Sequence, residues 1–183
     1  ALTYDYRGDL WIGIDNQGLL QVSATNLTAT DRTSLLGQPS HSGSFKVNMI
    51  RQLHNKQMAF GTERDGLIIA DSLHTLANYN RHNAPWMQDN CVYSIHEDNE
   101  GNLLLGTWMG LSILYLHGDG MYLTNEHIAH VINDARITHI TPGEGCYWLS
   151  TRNKGIIRLI GDIHRPTTLQ TILYDKPLNT ELP

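Results

Sequence analysis

Ten histidines, two cysteines and four tryptophans are the side chains in these 183 residues with the most chemistry to offer. A metal centre needs ligands at a tight or recurring spacing. His127 and His130 in E-H-I-A-H lack the H-E-x-x-H order of a zinc protease, and their segment is predicted to be a link rather than a helix. His54, His82, His96, His117 and His139 fall in different strands or loops without a shared spacing. No metal and no cofactor is expected. Glu97 and Asp98 are neighbours in a predicted strand, so they point to opposite faces and make a poor acid–base pair. No G-x-S-x-G occurs, and neither Cys91 nor Cys146 has a plausible histidine partner. These absences argue against an enzyme. Thirteen Lys and Arg against 18 Asp and Glu give a net charge of −5, which opposes a phosphate-tracking surface and excludes nucleic acid as a partner.

Binding chemistry is better represented. Polar or aromatic turns precede the second glycines: E-R-D before Gly66, W-M before Gly110 and R-N-K before Gly155. The segment R-H-N-A-P-W-M-Q-D-N from Arg81 is similarly rich. Trp108, Arg152, Asn153, Lys154, Arg64, Asp65, Trp86 and Arg81 are therefore the candidate ligand-binding residues. A tryptophan among Arg, Asn and Asp suits a carbohydrate, whose apolar ring face stacks while its hydroxyls take bidentate partners. The competing expectation is that Trp108 packs on neighbouring structure and the charges are solvated. Trp11 and Trp148 share one repeat position and are expected in the core.

The elements that must position these residues come from an internal repeat. D-L-W-I-G-I-D-N-Q-G-L-L-Q-V from Asp9 aligns with Q-M-A-F-G-T-E-R-D-G-L-I-I-A from Gln57. N-L-L-L-G-T-W-M-G-L-S-I-L-Y from Asn102 and C-Y-W-L-S-T-R-N-K-G-I-I-R-L from Cys146 complete the set. The small residues Gly13, Gly61, Gly106 and Ser150 recur about every 45 positions, the length of one four-stranded propeller blade. Short β-branched and aromatic runs bounded by Gly and Asn read as strands. The expected fold is all-β, with about four four-stranded antiparallel blades near 1–40, 45–84, 91–130 and 135–175. Strand a is expected from Phe45, Cys91 and Ala135, and the last strand near Leu76, Met121 and Thr171. The a–b turn falls at N-E-G-N and the b–c turn at T-W-M-G, one residue shorter than its counterparts and so of another hairpin type. Gly8, Gly101 and Gly145 hold the a–b turns, and Lys56 replaces them in the second repeat after Asn55, which tolerates the left-handed conformation. All b–c turns and d–a links share one face of the propeller, and the a–b and c–d turns the other. Cys91 and Cys146 then lie on opposite faces and are expected to be unbridged. Ala1 aligns inside a strand a, and K-P-L-N-T-E-L-P resembles a link, so a piece of a larger propeller is expected. Its open edges would pair with other blades or another copy.

The repeat resembles the two-component regulator propeller family. The best match is S-I-H-E-D-N-E-G-N-L-L-L-G-T-W-M-G-L from Ser94 to Leu111, supported by Trp11, Trp148 and the pairs Gly61-Thr62 and Gly106-Thr107. This resemblance implies a seven-bladed ring in the periplasmic sensor of a bacterial membrane receptor, with a histidine kinase, hybrid kinase or diguanylate cyclase as output. It implies a non-catalytic ligand-sensing role, with an oligosaccharide or other small polar ligand. The alternative is a protein-interaction or dimerisation scaffold without a small-molecule ligand. No apolar run approaches the roughly 18 residues of a bilayer span, so no direct membrane contact is expected of this segment.

Overall fold

The computed structural model describes residues 1–39, 45–115, 120–122 and 126–174, with only the backbone at 120–122, 126, 127 and 166. Four antiparallel sheets follow one another along the chain, each a simple meander of four strands. The first holds β1 (Leu2–Tyr4), β2 (Leu10–Ile14), β3 (Gly18–Val22) and β4 (Ala29–Asp31). β5 (Val47–Gln52), β6 (Met58–Thr62), β7 (Leu67–Ala70) and β8 (Thr75–Tyr79) make the second. The third comprises β9 (Val92–Glu97), β10 (Leu103–Thr107), β11 (Gly110–Leu114) and β12 (Gly120–Tyr122). The fourth comprises β13 (Ile137–Gly143), β14 (Cys146–Thr151), β15 (Ile156–Ile160) and β16 (Gln170–Tyr174). These are propeller blades.

Residues of β6, β7, β10 and β11 are buried throughout, because both faces of an inner blade are covered. Side chains alternate across a strand, so each blade feeds two cores. Met58, Phe60, Ile68 and Ala70 join Trp11 and Leu19 of the first sheet. Ala59, Leu67 and Ile69 turn the other way, against Val92, Ile95, Leu103 and Leu105 of the third. Leu104, Leu111 and Ile113 then meet Ile137, Ile140 and Leu149 of the fourth. Burying each such Leu or Ile stabilises by about 1.5–3 kcal/mol. The recurring small residue sets the approach between blades. A Cβ on Gly13 would lie 2.8 Å from Val47 Cβ, and on Gly61 2.9 Å from Val92 Cγ1. On Gly106 it would lie 2.6 Å from Ile137 Cγ2.

The Gly-Thr pair also has a structural use. Thr62 Oγ1 donates to the Gly66 carbonyl at 2.9 Å and accepts the Asp65 N–H at 2.8 Å, which locks the b–c turn. Thr151 repeats this with Gly155 and Lys154, and Thr107 with Gly110 and Met109. The third turn does differ: Thr107 pairs directly with Gly110, leaving only Trp108 and Met109 in the loop.

Three expectations are corrected. The segment carrying His127 and His130 is a helix, α1 (Glu126–Ile132), not an extended link. Ile128, Val131 and Ile132 are buried at i, i+3 and i+4 spacing, so one apolar stripe docks seven residues that are too short to be helical alone. Trp148 is not in the core. Trp11 is 1% exposed and Trp148 36%, because position 148 lies on the outward face of the fourth sheet. In the second a–b turn the left-handed residue is Lys56 itself, at φ 71°, while Asn55 accepts the Gln57 N–H. Both thiols are free and buried.

Candidate functional site

The candidates on the b–c face are largely engaged with their own fold. The Arg136 guanidinium lies 3.9 Å from the Trp108 ring centroid, and the Trp108 and Tyr93 rings are 6.0 Å apart. Arg152 covers Tyr93 at 5.6 Å, which completes a stack joining the third and fourth sheets. Asn153 donates to the Asp134 carbonyl at 2.7 Å and accepts the Arg136 N–H at 2.9 Å. Lys154 Nζ donates to the carbonyls of His130, Val131 and Asn133, at 3.2, 3.2 and 2.6 Å, where the negative end of the α1 dipole lies. Trp108, Arg152, Asn153 and Lys154 are thus brought together, with Arg64 and Asp65 on the second sheet. Arg64 is exposed and Asp65 buried. Trp86, within the d–a link, packs on Tyr79 at 5.5 Å, while Arg81 is exposed.

Cavities open on the other face, beside the a–b turns. One of about 430 Å³ lies between the second and third sheets, against Leu53, His54, Ile69, Tyr79, Glu97 and Tyr115. Another of about 420 Å³ reaches the fourth sheet and is lined by Arg51, His96, Asp98 and Tyr147. Both include His54, Glu97 and Asn99. None of the side chains favoured on the b–c face lines either cavity.

Glu97 is the hinge of this cleft. It ends β9, opposite Leu103, and its side chain is only 5% exposed. The backbone N–H of His54 donates to its Oε2 at 2.8 Å, and His54 Nδ1 lies 3.6 Å from Oε1. Asp98 instead serves the turn, taking the N–H groups of Glu100 and Asn102 on Oδ1. Arg51 donates from Nη1 to the Ile95 carbonyl at 3.4 Å, and its buried Nε has no hydrogen-bond partner. The His96 ring meets Tyr147 edge-on at 5.7 Å. Burial lowers the His96 pKa from its ordinary 6.5, and the Arg51 charge pushes the same way. Burial raises the phenols of Tyr115 and Tyr147. The cleft therefore offers a buried carboxylate, a guanidinium, imidazoles and aromatic walls, which suit recognition of a small polar molecule. Among the described residues, no group of three or more His, Cys, Asp and Glu side chains is placed to hold a metal ion.

Sequence reasoning missed His54 and Glu97 as a pair. The available signal was the repeat register. Tyr4, Gln52 and Pro142 hold the position that Glu97 holds, each pairing with the residue three before the tetrad's small residue. Glu97 alone among them is charged.

Residues 87–109 match the sequence model of the two component regulator propeller family. The chain is a β-propeller segment, and the match falls on β9 and β10 of its third sheet. Among solved structures it is similar to an extracellular domain, described as that of the hybrid two component system BT3049 of B. thetaiotaomicron. The two are 21% identical with a TM-score of 0.76, over 98% of this chain and 23% of that one. It is also similar to PorZ, a surface component of the type-IX secretion system of Porphyromonas gingivalis, at 16% identity and TM-score 0.62, over 92% of this chain and 26% of PorZ. At these identities the shared property is the fold, and the chain spans about a quarter of the length of either structure. No curated protein matches the sequence. Among the described residues, no helix is long and apolar enough to cross a membrane.

Proposed function

We propose that this chain is part of the extracellular, periplasm-facing sensor domain of a two-component receptor, and that it is non-catalytic. The cleft around His54 and Glu97 receives a small polar ligand. The observation that carries this reading is the pair of cavities meeting at a buried carboxylate, in a chain whose residues 87–109 match the two component regulator propeller. The cleft touches the second, third and fourth sheets, so a ligand that fits one arrangement of the blades better than another shifts the balance between them. An output kinase or cyclase belongs to the whole receptor under this reading. A carbohydrate is one member of the ligand class, its hydroxyls hydrogen-bonding to the amides of Asn55 and Asn99 and the carboxylate of Glu97. The test is amide NMR of the chain titrated with panels of oligosaccharides, amines and carboxylates. Shifts should concentrate at residues 53–57 and 96–101. Silence across all three panels, or shifts confined to the Trp108–Lys154 face, overturns the assignment of this cleft.

A second reading, that of an interaction scaffold, is favoured by one observation. The outward face of the fourth sheet exposes Trp148, Ile156, Ile172 and Tyr174, whereas Leu104, Leu111 and Ile113 on the same face of the third sheet are buried. Further blades or a second copy would cover such a face. Sedimentation should then show self-association of this chain that Trp148→Ser weakens.

A further inference from the structure

The two cavities differ in charge, and the difference specifies a ligand. Arg51 lines the one that reaches the fourth sheet, but no Lys or Arg lines the one between the second and third. The acids of that second cavity are Glu97, buried in its floor, and Glu100, held at the rim by His164 at 3.0 Å. The only ion-pair partner of Glu97 among the described residues is His54. Its walls are aliphatic (Leu53, Ile69, Leu103, Leu114) and aromatic (Tyr79, Tyr115).

From these groups we infer that the cavity between the second and third sheets binds a primary amine carried on an apolar body of roughly aromatic-ring size. A carboxylate with little solvent, whose one ion-pair partner among the described residues is an imidazole, attracts an ammonium group more strongly than a surface carboxylate does. Tyrosine faces add to the attraction for a cation within about 6 Å of the ring centroid. The aliphatic wall removes the ligand's apolar body from water. A volume of about 430 Å³ leaves room for such a molecule. An anionic ligand meets Glu97 and Glu100 without an arginine or lysine to offset them. A neutral polyol gains neither the charge nor the apolar contact.

This inference rests on the cleft being a receptor site, and the experiment separates the two claims. The intact chain is titrated by calorimetry and amide NMR at pH 7 with 2-phenylethylamine, 2-phenylethanol and phenylacetate, which share one body and differ in head group. The amine should bind at least tenfold tighter than the alcohol, and phenylacetate weakest. Glu97→Gln keeps a carbonyl oxygen for the His54 N–H and should bring the amine down to the affinity of the alcohol. Glu100→Gln, on the exposed rim, should weaken the amine a few-fold. Neither variant should change the alcohol. The head-group series on the unaltered chain decides the matter even if Glu97→Gln fails to fold, and added salt should remove only the part that exposed Glu100 contributes. Binding of the alcohol or phenylacetate as tightly as the amine overturns the inference, as does an amine preference that survives both variants. A neutral oligosaccharide that shifts residues 53–57 and 96–101 where the amine does not would also overturn it, yet leave the sensing role standing. Failure of every probe would remove both.

Discussion

Lys154 and Glu97 are both charged residues beside an edge of the same sheet stack, yet their surroundings differ. Lys154 is held by three carbonyls at the end of α1, and its neighbours Asn153 and Arg152 are tied to Asp134, Arg136 and Tyr93. Glu97 is held by one backbone N–H and one imidazole, and cavities open on both sides of it. The second b–c turn leaves Arg64 exposed, but the fourth brings backbone groups within reach of Asn153 and Lys154. On the a–b side Asp98 is tied to its own turn, while Glu97 faces the gaps between blades. The proposed recognition role therefore falls to the charged side chain that its turn does not use.

Three substitutions can sharpen or break this contrast. The largest effect is expected from Gly66→Ala in the second b–c turn, where φ is +79° and a Cβ would fall against the Tyr79 carbonyl oxygen. Because backbone blocks the new atom, the loss should exceed about 3 kcal/mol in urea unfolding. Next is Lys154→Met, which keeps the aliphatic stem but removes three charge-assisted bonds, at a cost of about 2 kcal/mol. It should leave phenylethylamine binding unchanged. Weaker binding at undiminished stability would reverse the roles given to the two faces. The smallest effect concerns His96. Its folded-state pKa lies below the ordinary 6.5, so the unfolded chain takes up the proton first as pH falls. Stability is therefore intact above about pH 6.5 and declines as pH drops toward the folded-state pKa, with a slope no steeper than about 1.4 kcal/mol per pH unit. His96→Gln should flatten urea midpoints measured between pH 7.5 and 5.5.

The blade pattern was legible because each strand position is written four times. A tetrad ending in Gly or Ser and a turn glycine specify β2–β3, β6–β7, β10–β11 and β14–β15 without reference to distant residues. The strands before and after that pattern were also placed in the later three repeats, whereas β4 and α1 were not. The Ala29, Thr30 and Asp31 side chains of β4 are all exposed, so no alternation marks the strand. Helix α1 is shorter than the window in which a 3.6-residue period stands out, and its docking surface comes from the fourth sheet. The outward position of Trp148 depends on which blade covers which face, a relation that the repeat cannot express. The cleft was hidden for a related reason. His54 belongs to one repeat and Glu97 to the next, 43 positions apart, and only the register of β9 against β10 aims the carboxylate between sheets.

At Gly13, Gly61 and Gly106 the missing side chain meets Val47, Val92 and Ile137 of the following sheet. Those contacts lie between strand b of one blade and strand a of the next, so they act as the narrow end of a wedge. The thickness of that end fixes how far each sheet is rotated from the last, and rotation summed over blades decides what number of them completes a circle. A single methyl group at these three places is thus a change of curvature as well as of packing.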